Sequence, residues 1–351
     1  MNRQRFLLPA LLMLTGVRML MLSQPALSEM EQQLLRYAHQ PDVWHPGMGP
    51  LLPWLVKAST SAFGEGGFGV RFFAPLLMLG AGWLLWESVR GLFDATTASW
   101  SLLIFQVTPA VNVAAVTMTL TTAGIAASVG ILAALRLALH RDHRFHLQWW
   151  LLGGALILAF LVDWRLMMLG LSVGASMGIT SRGRRALMKW PVLPVLAGCL
   201  GLVLTIFLAW NSEHAWSAFG PLPQSEPRTF WQSLVILPLA FSPLLLVAFG
   251  WALVRSVLRR PMDYAVSFLY AFTWPLVTLD ILIWSTLPWP HCGVSTWLAP
   301  VIALLAHHSL HAEETRPRIL LLARSATIFA ASLQSCWMMH GGLQQVLGLG
   351  W

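Results

Sequence analysis

Residues 28–75 read SEMEQQLLRYAHQPDVWHPGMGPLLPWLVKASTSAFGEGGFGVRFFAP, and the rest of the chain is organised around this stretch. It is the longest polar interruption in an otherwise apolar sequence, and it holds four of the fourteen acidic residues. Apolar segments lie on both sides of it. We therefore predict that it is a loop outside a membrane, and that chemistry, if the protein performs any, takes place there.

The composition predicts an all-α polytopic membrane protein. Hydrophobic residues make up 57% of the chain, charged residues only 10%, and the mean hydropathy is +0.66, whereas charged residues are about a quarter of a soluble domain. A membrane span needs about 20 mostly apolar residues. We predict a single domain over residues 1–351, without a C-terminal soluble domain, and about eleven spans: 6–23, 72–92, 98–119, 123–139, 147–163, 165–180, 190–210, 230–254, 263–286, 295–310 and 318–338.

The distribution of Lys and Arg predicts the orientation. With the N-terminus in the cytoplasm, sixteen of the twenty-two basic residues fall on the cytoplasmic side, as the positive-inside rule requires. The loop at 24–70 then faces the periplasm or the cell exterior. The basic, apolar N-terminus resembles a signal peptide, but Arg18 and the many later spans favour a retained anchor in a multi-pass inner-membrane protein.

Several other classes of function are disfavoured. The net charge of +8 comes from short basic clusters between apolar runs, which is not the pattern of a nucleic-acid-binding surface. The three cysteines are widely spaced and indicate neither a disulfide framework nor a zinc site. Few ionisable residues lie at mid-membrane, and no repeat of Gly- or Pro-broken spans indicates a transporter. We predict no metal and no cofactor.

Within the loop, Ser28 followed by Glu31 predicts the capping box of a helix. Leu34, Leu35 and Tyr37 would then lie on the membrane surface. Residues 51–63 predict a second interfacial helix, so the loop is expected to form a cap on the bilayer.

The candidate catalytic residues are Glu29 and Glu31, which follow the first span at the depth of a lipid headgroup. Either carboxylate could act as a general base at the membrane surface. The alternative is a solvated helix start, where acids favour the helix dipole. Because both lie within one helical turn, the sequence does not separate them.

The candidate binding residues are cations and histidines on the outward side. Arg71 and Arg165 could each bind a phosphate or simply extend to the interface, and Asp163 could pair with Arg165. His45, His214 and His291 could converge on one site or remain scattered. Asp280, within the ninth span, is either functional or part of buried polar packing.

Four elements, in order along the chain, resemble the bacterial protein-mannosyltransferase-like and aminoarabinose-transferase-like GT-C glycosyltransferases. Phe63-Gly64 through Val70-Arg71 resembles the FG-x-x-x-F-x-VR element of that family. Thr108-Pro109 resembles the Ser-Pro inside its third span. Trp210-Asn211 through Trp216 resembles its WN-x-x-H-x-W element. Pro290-His291 with 297–300 resembles its HW-x-AP element, with extra residues inserted.

The resemblance implies a membrane enzyme that takes a sugar from a polyprenyl-phosphate donor. A loop carboxylate, Glu29 or Glu31, would deprotonate the acceptor, which attacks the anomeric carbon with inversion. Cations would steady the departing lipid phosphate. The residues expected to bind substrate are His45, Arg71, Arg165, His214, Trp216 and His291.

The sequence also departs from the family pattern. Glu29-Met30-Glu31 stands where the family has an Asp-Glu pair, and Thr119-Leu120-Thr121 stands where it has Thr-Pro-Asp. These departures motivate an alternative: a catalytically degenerate relative that acts as an integral subunit or lipid-binding scaffold of a membrane complex.

Overall fold

The computed structural model describes residues 7–23, 26–40, 42–140, 147–189, 192–219, 241–258, 263–286, 293–312 and 328–332. Every regular element named within these ranges is a helix, and the antiparallel bridge found there joins His45 and Met48. The prediction of an all-α chain is therefore confirmed.

We number the α-helices of the described residues in chain order. They are α1 (Leu7–Met21), α2 (Glu29–His39), α3 (Leu51–Phe63), α4 (Gly67–Arg71), α5 (Phe73–Leu92), α6 (Ala95–Val107), α7 (Pro109–Ala114), α8 (Leu120–His140), α9 (Leu147–Val162), α10 (Met168–Ile179), α11 (Ser181–Leu187), α12 (Val192–Glu213), α13 (Pro243–Leu258), α14 (Tyr264–Thr286) and α15 (Gly293–Ala312). Short 3-10 helices cover Trp164–Met167 and Ser217–Phe219.

Three helical segments of the described chain are long and apolar enough to cross a membrane: Gly67–Leu92, Leu120–His140 and Val192–Glu213. Shorter apolar helices accompany them, at Leu7–Met21, Leu147–Val162, Trp164–Ile179 and Pro243–Leu258. The count of eleven spans stays a prediction, because the segments at 230–254 and 318–338 lie partly outside the described residues.

The predicted third span, 98–119, is broken into α6 and α7 at Thr108-Pro109. Proline lacks an N–H group and pushes the preceding residue out of the helical region, and Thr108 accordingly has φ −65° and ψ 124°. The side chain of Asn112 donates to the carbonyl oxygen of Gln106 at 2.8 Å. That amide therefore satisfies a backbone acceptor that the break has exposed.

Helix α8 lies at the centre of the molecule, where it packs against α5, α9 and α15. Small residues let α15 approach closely, as is typical of membrane helices. A Cβ at Gly124 would lie 2.5 Å from the Ser295 Oγ, and Ser128 donates to the Ser295 carbonyl oxygen at 3.3 Å.

Helices α2, α3 and α4 pack together at one end of the longer helices, and we call this unit the cap. The capping box of Ser28 and Glu31 and the helix Leu51–Phe63 are both present as predicted. Leu34 and Leu52 are fully buried. The expectation that Leu34 lies on the membrane surface is therefore wrong: the apolar face of α2 packs against α3 and the core. Whether the cap rests on a bilayer stays a prediction.

Candidate active site at the cap

Glu31 and Arg71 form a buried ion pair between α2 and α4. The Arg71 Nε donates to one carboxylate oxygen of Glu31 at 2.7 Å, and an Arg71 Nη donates to the other at 2.7 Å. The two side chains are 0% and 1% exposed. This two-point geometry is the strongest form of an Arg–carboxylate contact, and it joins residues forty positions apart in the sequence.

Both members of the pair also bind backbone groups. Glu31 accepts from the N–H of Ser28 at 2.9 Å and from the N–H of Met118 at 3.0 Å. Arg71 donates to the carbonyl oxygens of Leu22 at 3.0 Å and Ala26 at 2.8 Å. The pair therefore ties the end of α1, the cap and the segment before α8 to one another, and we call it the clasp.

Glu29 lies in the first turn of α2, two residues before Glu31, but it is exposed. None of the hydrogen bonds or ion pairs found in the described residues involves its carboxylate. The two candidate bases thus occupy opposite faces of one helix: Glu31 is turned into the clasp, and Glu29 is turned toward solvent.

Arg165 pairs with Asp163 rather than with a glutamate of the cap. Its Nη1 donates to Asp163 Oδ2 at 3.2 Å, and its backbone N–H donates to Asp163 Oδ1 at 2.9 Å. Both side chains are buried. Asp163 begins the 3-10 helix Trp164–Met167 as its N-cap, so the ion pair that the sequence offered as an alternative is present.

His45 is 4% exposed, and its ring stacks on Tyr37 with centroids 4.2 Å apart. Its Nε2 contacts no hydrogen-bond partner among the described residues. Burial lowers the pKa of His45, an effect that the negative charge of Asp42 opposes. The ring is therefore neutral at pH 7, with one nitrogen able to take up a ligand contact.

A tight contact holds this segment against α9. The N–H of Gly49 donates to the carbonyl oxygen of Val162 at 3.0 Å, and a Cβ at Gly49 would overlap the carbonyl oxygen of Leu161. Only glycine permits this approach. The contact places the chain around His45 beside the start of the Asp163–Arg165 segment.

His214 and Trp216 lie at the exposed end of α12. The His214 ring stacks on Trp210 at 4.1 Å, and its Nδ1 lies 2.8 Å from the Trp210 carbonyl oxygen. Trp216 is 51% exposed and has a φ of 59°. His291 lies outside the described residues. Asp280 accepts from the Trp297 Nε1 at 2.9 Å.

The structure also places at the site two residues that the sequence did not predict to belong to it. Asp42 accepts from the Trp210 Nε1 at 3.2 Å and so connects the cap to α12. Tyr37 supports the His45 ring. The aspartate belongs to no recognisable motif, so no sequence signal pointed to a contact 168 residues away.

Comparison with known proteins agrees with this architecture. Residues 44–210 match the family described as dolichyl-phosphate-mannose-protein mannosyltransferase. No curated protein sequence matches the chain.

Solved structures share the fold at low sequence identity. ArnT from Cupriavidus metallidurans in the apo state has 14% identity and a TM-score of 0.67, with 99% of this chain and 77% of that chain covered. The same protein bound to undecaprenyl phosphate gives a TM-score of 0.66 at 14% identity, covering 96% and 71%.

A more distant likeness is to the archaeal oligosaccharyltransferase AglB from Archaeoglobus fulgidus in complex with an inhibitory peptide and a dolichol-phosphate. It has 12% identity and a TM-score of 0.63, with 97% of this chain and 56% of that chain covered. The family match over residues 44–210 covers a little less than half of the chain, and these likenesses show that the chain shares the fold of ArnT and AglB.

Proposed function

We propose that the protein is a membrane glycosyltransferase that moves a sugar from a polyprenyl-phosphate donor to an acceptor, with Glu29 as the general base. The main support for this proposal is the difference in surroundings between the two glutamates of the cap. Glu31 is saturated by the clasp, whereas Glu29 is exposed in the first turn of α2.

The clasp occupies both carboxylate oxygens of Glu31, which accept from Arg71 and from the N–H groups of Ser28 and Met118. Turning this carboxylate toward an acceptor would leave the buried donors of the clasp unsatisfied. We therefore assign Glu31 and Arg71 the role of positioning residues, which hold α2 so that Glu29 faces the acceptor.

The reaction couples removal of a proton from the acceptor to displacement of the lipid phosphate from the sugar. Glu29 takes the proton from the acceptor's nucleophilic group, which then forms a bond to the anomeric carbon of the donor sugar. The bond between that carbon and the phosphate oxygen breaks, and polyprenyl phosphate leaves with the bonding electrons. Attack from the face opposite the phosphate inverts the configuration.

We assign the binding of the departing phosphate to His45 and Arg165. The contact of Gly49 with Val162 brings their two segments together, and the buried Nε2 of His45 has no acceptor among the described residues. Charge-assisted hydrogen bonds to a phosphate that gains charge in the transition state accelerate the reaction. His214 and Trp216, at the exposed end of α12, and His291 would line the acceptor side.

The test is the Glu29→Gln variant, which keeps the side-chain size and removes the base. Isolated membranes are supplied with undecaprenyl phosphate carrying mannose or aminoarabinose, and release of undecaprenyl phosphate is measured. Loss of a general base costs about 10²–10⁴-fold in rate, so we expect at least a hundredfold decrease with unchanged thermal stability.

The matched control is Glu65→Gln, a second exposed cap glutamate, which pairs with His39 at 3.3 Å. It should retain full transfer. Equal activity of Glu29→Gln and wild type would refute Glu29 as the base. If the wild type consumes none of these donors but purifies in a stable membrane complex, the scaffold role replaces the enzyme.

We also propose that the N-terminus faces the cytoplasm and that the acceptor binds at the periplasmic face of the inner membrane. The excess of Lys and Arg in alternate connections supports this orientation. A Glu65→Cys variant should react with a membrane-impermeant maleimide in intact cells, while an Arg184→Cys variant should react only after lysis. The reverse pattern would invert the topology.

A further inference from the structure

Residues 179–189, which include α11, carry four cations and no acidic residue. The cations are Arg182, Arg184, Arg185 and Lys189. All four are exposed, and so are the apolar side chains of Ile179 at 55% and Met188 at 86%. We call the exposed side chains of this segment the α11 surface. It combines positive charge with apolar side chains at each end of one short helix.

The α11 surface lies at the end of the molecule opposite the cap. Helix α8 begins two residues after Met118, whose N–H binds the clasp, and a helix of its length spans about 30 Å. At the far end of α8, the His140 ring lies 5.2 Å from the ring of Tyr264. The guanidinium of Arg182 lies 4.5 Å from the same tyrosine ring. Since α8 is long and apolar enough to cross a membrane, the cap and the α11 surface lie at its two boundaries.

The backbone holds α11 in a fixed position against the end of α10. The buried hydroxyl of Thr180 donates to the Ser176 carbonyl oxygen at 2.6 Å and accepts from the Gly183 N–H at 3.1 Å. A Cβ at Gly183 would overlap the backbone of Met177, so the turn from α10 into α11 is tight. Gly183 and Ala186 are the buried positions of α11. The cations on its other side are therefore turned outward.

Two arginines of the α11 surface keep donors available for a ligand. Arg184 stabilises the fold, because its Nη1 donates to two carbonyl oxygens at the end of α10. Among the described residues, Arg185 donates from its Nε to the Ser181 carbonyl oxygen at 3.3 Å, and Arg182 contacts Tyr264 by a cation–π interaction. None of the ion pairs found in those residues involves either arginine. The Nη groups of Arg182 and Arg185 can therefore donate to an anion.

The chemistry of the α11 surface fits an anionic phospholipid. The acidic residue Asp263 precedes Tyr264, but it is exposed and one carboxylate does not balance four cations. A partner also has to cover Ile179 and Met188, which an RNA or an inorganic anion would leave in water. An anionic phospholipid presents phosphate at the membrane boundary and apolar chains directly below it, so it matches both the charges and the apolar side chains.

We propose that the α11 surface binds the headgroup of an anionic phospholipid in the leaflet away from the cap. Arg182 and Arg185 donate from their Nη groups to the phosphate, and Ile179 and Met188 lie among the upper parts of the acyl chains. The bound lipid holds the junction of α10 and α11 at the membrane boundary. The site does not depend on the proposed sugar transfer, because the length of α8 separates it from the clasp.

The experiment is photo-crosslinking from position 188. Benzoylphenylalanine replaces Met188 in the full-length protein, which is placed in nanodiscs of equal parts phosphatidylglycerol and phosphatidylcholine, and mass spectrometry identifies the crosslinked lipids. Each Lys or Arg near an anionic surface strengthens binding about fivefold, so we expect phosphatidylglycerol to be enriched about tenfold or more. The same label at Leu202, an exposed apolar position on α12, should react equally with both lipids. Equal reaction at position 188 would overturn the proposal.

Removal of the two arginines tests the site itself. The double variant Arg182→Gln, Arg185→Gln should lower the enrichment at position 188 by about tenfold or more, since two contributions of about fivefold are lost. The variant Arg182→Lys, Arg185→Lys retains both charges and should keep most of the enrichment. Arg36→Gln, which changes an exposed arginine of the cap, should leave it unchanged. Undiminished enrichment in a folded Gln double variant would overturn the site, and equal loss in the Lys variant would overturn the role of charge.

Competition distinguishes a phospholipid from other anions without a variant that has to fold. Inorganic phosphate or a short RNA, added to the wild-type chain with the label at position 188, should leave the enrichment of phosphatidylglycerol unchanged. Suppression by phosphate at the concentration of the lipid would show a site for the free anion, and suppression by RNA would show a nucleic-acid surface. Either result would overturn the choice of a phospholipid.

Discussion

The clasp and the contact of Arg18 with Gln106 and Asn112 each bury a guanidinium, but they differ in the charge of its partners. Arg71 meets a carboxylate with two-point geometry, and that carboxylate also binds backbone donors. Arg18 meets two neutral amides and leaves its Nε without an acceptor in the described residues. Burial alone therefore does not mark a charge as functional, because a buried guanidinium can be held by a carboxylate or by neutral amides.

The largest effect on stability is expected from breaking the clasp. Glu31→Gln leaves Arg71 buried without its counter-charge, and removing one partner of such a pair costs about 3–5 kcal/mol. We expect a clearly lower midpoint in thermal unfolding of the purified protein. The double variant Glu31→Gln, Arg71→Met should recover part of the loss, because it removes the uncompensated charge. A Glu31→Gln protein as stable as the wild type would show that the clasp is not structural.

A smaller effect on stability is expected from His45, whose imidazole ring carries no charge at neutral pH. Because burial lowers the pKa below its ordinary value of 6.5, the unfolded chain takes up the proton more readily than the folded one. Stability should therefore be unaffected above pH 6.5 and should fall as the pH drops from there through the lower folded pKa.

The His45→Phe variant retains a ring to stack on Tyr37 and cannot titrate. Its thermal midpoint should decline less than that of the wild type between pH 7 and pH 5, and the other histidines serve as a common background. Parallel declines in the two proteins would show that His45 titrates as it does in the unfolded chain.

Local features of the cap were predictable from the sequence. The spacing of Ser28 and Glu31 predicts the capping box, and the composition of residues 51–63 predicts α3, because caps and helix periodicity depend on neighbours within one or two turns. The resemblance carried by residues 63–71 and by Thr108-Pro109 pointed to the GT-C superfamily.

The partners of the charged residues were not predictable. Glu31 was a candidate general base and Arg71 a candidate substrate ligand, yet they contact each other across forty residues, and no local pattern encodes such a pairing. Arg18 was treated as a sign of a membrane anchor, because its amide partners lie 88 and 94 positions further along the chain. The burial of Leu34 was missed for a related reason: an amphipathic helix looks the same whether its apolar face meets lipid or α3.

The most direct test of the central claim is the rate of donor consumption by Glu29→Gln, measured beside its thermal midpoint in the same preparation. We expect wild-type stability with at least a hundredfold loss of rate, because Glu29 acts on the acceptor in the proposed reaction and makes none of the contacts found in the described residues. Wild-type consumption of the donor by a stable Glu29→Gln protein would contradict it.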